Sequence, residues 1–331
     1  MEYRRLGEHG PMVSRVAFGN SLTAGNQLDD TAAIACVRAA LDHGVTTFDT
    51  ADVYSGGRAE EVLGRALSSV PRESVVLCTK VGRGTKGPGG LSRERVLTGL
   101  DASLARLGTD HVDLFQAHLY DDGTPLEETM GAFAEAVALG KARYIGVSEW
   151  AADELAEAGR LARELGVPLV SNQPQYNMLW RVIETEVLPA CAALGIGQLV
   201  WSPLAGGVLT GKYLPGQAPP SGSRAVAAEG GDNSLRRWRF LEDDVLERVR
   251  RLRPLAASAG LELPQLALAW VLRNPGVTGA VIGASSVDQV ARNLKGAEAG
   301  LPQDLLEAID SVLGEVVERD PGKTLSRMLR R

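Results

Sequence analysis

Eight times along the chain a short apolar run gives way to a longer stretch with helical spacing, and this alternation is the tightest constraint on the fold. The runs begin near Val16, Val45, Val75, Val112, Ala142, Leu169, Ile196 and Gly279. They are brief and rich in β-branched residues, the composition of strands covered on both faces. Between and after them, helical spacing marks 31–43, 59–68, 92–107, 126–139, 152–165, 181–194 and 286–296. Thr124-Pro125-Leu126-Glu127 opens one of these with an N-cap threonine, a proline at the first helical position and a capping-box glutamate. βα units in series, without a composition break, predict one α/β domain over residues 1–331, a single (β/α)8 TIM barrel. A doubly wound open sheet is the alternative.

Two segments stand outside the repeat. Residues 1–14 read as a small N-terminal hairpin. Between Trp201 and Gly279 the chain is unusually long, with Pro203, Gly206-Gly207, Pro215, Pro219-Pro220 and Gly230-Gly231 in a loop. Two extra helices follow, over 242–259 and 264–273, the second stopped by Asn274-Pro275. A long loop on the active rim of a barrel commonly serves as a lid or cofactor clamp. Lys212 and Arg224 favour that role over a decorative insertion. Residues 302–314 form a last amphipathic helix, and the tail after Asp320 is expected to lie outside the barrel or be disordered.

Length and composition exclude several classes. The 331 residues, 44% hydrophobic, suffice to bury a full core. A net charge of −6 and a pI near 5.4 give no general attraction to nucleic acid or to an anionic membrane. The basic stretch Arg248–Arg253 is a solvated helix face, and a second basic cluster, Arg327–Arg331, falls in the tail. Cys36, Cys78 and Cys191 are odd in number and far apart, which points to free thiols in a reducing compartment and to no metal site. With no secretory leader and no apolar run of membrane length, the expected location is cytoplasmic.

Chemistry gathers where strands end. Asp49 and Tyr54 follow the run Val45–Phe48, Lys80 follows Leu77–Thr79, and His118 follows Leu114–Ala117. In a barrel the carboxyl ends of the strands form the rim that carries active sites. The other histidines have plainer places: His9 in the hairpin, His43 near a helix end and His111 before a strand. Gly82-Arg83-Gly84-Thr85-Lys86-Gly87 matches G-x-G-x-x-G, but Pro88-Gly89-Gly90 follows and the helix starts only at Ser92. The third glycine of a dinucleotide turn belongs inside the helix, so this stretch reads as a mobile rim loop. Phosphate-loop, zinc-protease and serine-elbow motifs are absent.

Asp49, Tyr54, Lys80 and His118, in that order and at those strand ends, resemble the catalytic tetrad of the aldo-keto reductases. The resemblance covers nearly the whole chain, from Tyr3-Arg4-Arg5-Leu6-Gly7 to about Asn293. It is closest to the branch containing potassium-channel β-subunits and their bacterial relatives, through Trp201-Ser202-Pro203-Leu204-Ala205-Gly206-Gly207, Gly211-Lys212-Tyr213 and Gly283-Ala284-Ser285-Ser286. It implies reduction of a small-molecule carbonyl with NADPH, returning NADP+. Three substrates stay open: a small aldehyde, a metabolic ketone or a keto-sugar nucleotide. A regulatory subunit that binds NADP(H) and senses redox state is the rival, and homo-oligomerisation is left open.

The chemistry is intelligible from the residues. Hydride transfer to a carbonyl leaves charge on oxygen, so an acid must stand beside it. A free tyrosine titrates near pH ~10, and an adjacent ammonium favours its phenolate. Lys80 would supply that charge, Asp49 would hold Lys80, and His118 would donate a hydrogen bond to the carbonyl oxygen. The channel-subunit branch often has Asn in place of His118, so the histidine favours a working enzyme.

By the same resemblance, Ser148 and Gln173 bind the nicotinamide carboxamide and Trp201 stacks on its ring. Ser202, Pro203, Leu204, Gly206 and Leu209, with Lys212, wrap the pyrophosphate. Arg224, Gly283, Ser285, Gln289 and Asn293 hold the adenosine end and its 2′-phosphate. Asn20, Ser21 and Gln27 meet cofactor and substrate from the first βα loop, and Asp49 lies at the cofactor too. Two residues depart from the family pattern. Glu149 stands where much of the family has Asn, and is expected to face a basic or hydroxyl side chain. Arg292 precedes Asn293 where Glu is usual, and either assists a 2′-phosphate or faces solvent.

Overall fold

The computed structural model describes residues 1–21, 27–83, 90–227 and 234–329. Two antiparallel strands come first, β1 (Tyr3–Arg5) and β2 (Met12–Ser14), forming the expected hairpin. Eight parallel strands follow: β3 (Val16–Gly19), β4 (Thr47–Asp49), β5 (Val76–Val81), β6 (Val112–Ala117), β7 (Ala142–Val147), β8 (Leu169–Asn172), β9 (Gly197–Trp201) and β10 (Gly279–Ile282). Each pairs with its neighbour in chain order, and β10 returns to pair with β3. The sheet therefore closes into the (β/α)8 barrel that the repeat predicts, and not into an open sheet with edge strands.

The strands are apolar because both of their faces are covered. On β6, Leu114 joins Leu6, Val13, Cys78, Val170 and Leu199 in a cluster at the bottom of the barrel. Its neighbour Phe115 packs on Phe133 of the helix Leu126–Ala138, with ring centroids 4.8 Å apart. Full burial of one such leucine is worth about 1.5–3 kcal/mol. Leu6 and Val13 make the hairpin a plug for the amino-terminal end. The Ser14 hydroxyl oxygen accepts the Thr46 and Thr47 N–H groups at 3.1 and 3.2 Å, which ties the plug to β4. Gly7 has φ +65°, and a Cβ there would lie 2.5 Å from the Gly195 carbonyl oxygen, so glycine is required for the plug to seat. With that end filled, the opposite rim is the one left open for chemistry.

Three local expectations are corrected by tertiary contacts. Residues 181–194 are helical only over Val187–Leu194. The Arg181 guanidinium lies 4.4 Å from the Trp270 ring centroid and bonds Asp310 at 2.6 Å, while its N–H donates to the Glu318 carbonyl at 2.8 Å. These long-range partners hold the segment out of a helix. Residues 242–259 form two helices, Asp243–Arg251 and Arg253–Ser258, because Pro254 lacks the N–H that would continue the first. Thr124 donates its hydroxyl to Asp121 at 2.6 Å and does not cap the helix that begins after Pro125. The helix expected over 264–273 is found at Leu263–Leu272.

Past Asp320 the chain runs outside the strands and turns back over the open rim through a helix, Leu325–Leu329. Thr324 and Ser326 are buried there, and Arg327 bonds Glu186 at 2.9 Å and Asp153 at 3.1 Å. Among the described residues, no single helix is long and apolar enough to cross a membrane.

Candidate active site

Strand β4 ends at Asp49, and the chain then folds sharply through a 3₁₀ turn, Tyr54–Gly57. Ser55, Gly56 and Gly57 are all left-handed, with φ of 50°, 63° and 92°. This turn sets the Tyr54 ring above Lys80 of β5. The Lys80 side chain is fully buried, and its ammonium donates to Asp49 Oδ1 at 2.6 Å and to the Thr50 carbonyl at 2.8 Å. Its third neighbour is the Tyr54 hydroxyl oxygen at 3.4 Å. His118, just past β6, meets Tyr54 edge-on with ring centroids 5.5 Å apart. The four groups from three strand ends thus converge.

Their environment sets their charges. Burial opposes the Lys80 ammonium, but the Asp49 carboxylate and the Tyr54 oxygen outweigh it and hold its pKa above the ordinary 10.5. Burial, then the charges of Lys80 and Arg83, push His118 well below 6.5, so its ring is neutral. Asp52 is raised to about 6, chiefly by burial, despite its Arg95 partner at 2.7 Å. The Asp52 N–H donates to the Lys80 carbonyl at 3.1 Å, which anchors the turn carrying Tyr54.

Above these groups opens a cavity of about 740 Å³. Asp49, Tyr54 and His118 line it, with Ser21, Gln27, Ser148, Gln173 and Trp201 around them. One wall continues through Ser202, Pro203, Leu204, Gly206 and Lys212 to Arg224. Gly283, Ser285, Gln289, Arg292 and Asn293 close the far end. Asn20 and Leu209 do not line it. The Asn20 amide donates to the Ala59 carbonyl at 2.8 Å, and Leu209 is buried behind the loop.

The donor set suits a nicotinamide dinucleotide phosphate. Gln173 Nε2 donates to Asp49 Oδ2 at 2.8 Å, as it must, since a carboxylate only accepts. The Ser148 hydroxyl donates to the Gln173 carbonyl at 2.8 Å. Both side chains are left with accepting oxygens, which match the NH₂ of a carboxamide. Farther out, Gly207 is left-handed at φ +96°, and a Cβ there would meet Lys212 Cε at 2.8 Å, so glycine lets the lysine fold along the loop. Lys212 and Arg224 bring positive charge to that wall, and the Ser285 hydroxyl stands at the far end. Arg292 is directed at Glu262, 3.8 Å away, on the cavity wall.

Sequence reasoning missed Arg83, Trp238 and Leu325 as lining residues. Arg83 belongs to the glycine pattern set aside above. The helix after it runs Arg93–Leu107 behind a Ser92 cap, and residues 84–89 of the expected rim loop lie outside the described residues. So do Gly230-Gly231 and the last two arginines of the tail cluster. Leu325 had no local signal, because a residue far along the chain reaches the rim only through tertiary docking.

A model of the aldo/keto reductase family matches residues 15–313. The chain belongs to that family. This aldo/keto reductase family member is 40% identical, over 98% of its own length and 99% of the relative's, to a rice protein named "Probable voltage-gated potassium channel subunit beta". An Arabidopsis thaliana protein of the same name is 44% identical over 89% of this chain and 90% of the relative.

In this aldo/keto reductase, Glu149 does not face a basic or hydroxyl side chain. It is left-handed, at φ 63°, and buried. Its Oε1 accepts the Trp201 indole N–H at 2.7 Å and the Gln175 N–H at 2.5 Å, and Oε2 meets the Leu325 N–H at 3.4 Å. Burial raises its pKa, and these N–H donors oppose the rise. Glu149→Ala should therefore leave buried donors unpaired, at about 1–3 kcal/mol each, and release the Trp201 ring. Chemical denaturation should show a stability loss of at least about 1 kcal/mol. A smaller loss would mean that ring packing alone holds Trp201.

Proposed function

We propose that the chain reduces an aldehyde or ketone to the alcohol with NADPH, with Tyr54 as proton donor. The observation that supports this most is the buried Lys80 ammonium, shared between Asp49 and the Tyr54 hydroxyl. When bound, the reduced nicotinamide supplies a hydride to the carbonyl carbon. The Tyr54 hydroxyl releases its proton to the carbonyl oxygen as negative charge develops there. Lys80 stabilises the phenolate left behind, while Asp49, itself held by Gln173, keeps the ammonium in place. His118, neutral and buried, donates one hydrogen bond that orients the oxygen. Because its pKa lies well below 6.5, kcat/KM should show no His118 titration between about pH 6 and 8. A step near 6.5 that disappears in His118→Asn would contradict this placement.

The cofactor reading carries its own test. Arg224 on the cavity wall and Ser285 at its end offer charge and a hydroxyl to a 2′-phosphate. NADPH should bind at least about tenfold more tightly than NADH, a difference of roughly 1.4 kcal/mol. Arg224→Ala should weaken NADPH and leave NADH nearly unchanged, as read by titration. Equal affinities in the unmodified protein would remove the 2′-phosphate assignment.

The names of the relatives favour a second reading, an NADP(H)-binding regulatory subunit that reports redox state to a partner. Turnover separates the two, since a sensor oxidises NADPH slowly, limited by cofactor release.

A further inference from the structure

Arg83 stands just beyond the carboxyl end of β5, exposed at the mouth of the cavity. Its Nη1 approaches His118 Nε2 to 3.5 Å. Among the described residues it meets no carboxylate within 4.0 Å. By contrast, Arg95 and Arg106 are held by Asp52 and Glu60, each at 2.7 Å. A guanidinium has five donors, and one imidazole nitrogen occupies a single one. Two acidic groups that line the same cavity are already engaged: Asp49 by Lys80 and Gln173, and Glu149 by three N–H groups. Among the described residues, Arg83 is thus a positive group with unused donors, and it lines the cavity with Tyr54 and His118.

From this arrangement we infer that Arg83 selects substrates bearing an anionic group, a carboxylate or a phosphate, a few bonds from the carbonyl that is reduced. The inference rests on the carbonyl-reductase reading and names its substrate class. The geometry also gives Arg83 a second consequence. A neutral imidazole carries one proton, and when Arg83 donates to Nε2 that proton sits on Nδ1. Nε2 can then donate nothing to a carbonyl. A substrate anion draws the guanidinium onto itself through a forked, charge-assisted contact and uncovers Nε2. Nε2 then takes a proton from solvent in the cavity as Nδ1 gives up its own, so that the neutral ring carries its one proton on Nε2 and donates it in a hydrogen bond to the carbonyl. An uncharged carbonyl must displace Arg83 with no such compensation. Recognition of the anion and readiness of His118 are therefore one event.

The test uses matched pairs with saturating NADPH: succinic semialdehyde against butanal, and glyceraldehyde 3-phosphate against glyceraldehyde. The anionic member of at least one pair should have a kcat/KM at least about tenfold higher. A preference in the first pair alone identifies a carboxylate, in the second alone a phosphate. In Arg83→Gln the ratio within that pair should fall toward one, mainly through a higher KM for the anion. Arg83→Lys, which keeps the charge and loses the fork, should give an intermediate ratio. No preference in either pair, or a preference that survives Arg83→Gln, overturns the inference while leaving carbonyl reduction intact. If no carbonyl is reduced at all, the carbonyl-reductase reading fails, and calorimetric titration of succinate and inorganic phosphate into the NADP+-loaded protein still decides the anion site. Binding that is lost in Arg83→Gln upholds it, and absent or unaltered binding overturns it.

Discussion

Tyr54→Phe should lower carbonyl turnover by about 10²–10⁴-fold, the contribution of a positioned general acid. NADPH binding, read by tryptophan quenching, should stay within a few-fold of the parent. The substitution removes one oxygen and keeps the ring that packs edge-on against His118. Lys80→Met should cost a comparable factor, because the hydroxyl then loses the ammonium 3.4 Å away. If Tyr54 served only to pack the rim, the pattern would reverse, with a stability change and near-normal turnover. Parent-like turnover by Tyr54→Phe would place the proton donor elsewhere.

Asp49→Asn should be strongly destabilising. The Lys80 side chain has no exposure, and the Asp49 side chain is 4% exposed, so the substitution leaves a buried ammonium without its counter-charge. Breaking such a pair from one side costs about 3–5 kcal/mol. Chemical denaturation should show that loss for Asp49→Asn, and most of it should be recovered in Asp49→Asn/Lys80→Met, where no charge remains to compensate. A loss below about 1 kcal/mol, the scale of an exposed pair, would mean that the ammonium is neutralised by other means. Lys80 has its folded pKa above 10.5, so the stability it gains is complete below that value and is lost as pH rises through the folded pKa. The Lys80 contribution should accordingly be constant from about pH 6 to 9.

The barrel and the convergence of Asp49, Tyr54, Lys80 and His118 were legible because both follow from local pattern. Strand ends in a barrel share one rim, so residues far apart in sequence are placed by the repeat alone. Contacts that cross the repeat were not legible. The helix expected from Arg181 is withheld by Trp270, Asp310 and Glu318, none of which is near it in sequence. Glu149 faces an indole and backbone N–H groups, because the last described residues of the chain fold over the rim and bury it. Asn20 and Leu209 fall in the right loops, but their side chains are turned onto the Ala59 carbonyl and into the core. Family resemblance places a residue along the chain; the direction of its side chain depends on neighbours that only the fold supplies.

The most direct test is multiple-turnover oxidation of NADPH by the purified protein, followed by loss of reduced-nicotinamide absorbance. Aldehydes, ketones and keto-sugar nucleotides would each be supplied in excess over a known amount of protein. A carbonyl reductase should consume many equivalents of NADPH per chain at a steady rate, and only when a carbonyl is present. Oxidation that stops after one equivalent, or a rate that no carbonyl increases, would contradict the proposal and leave the regulatory reading in its place.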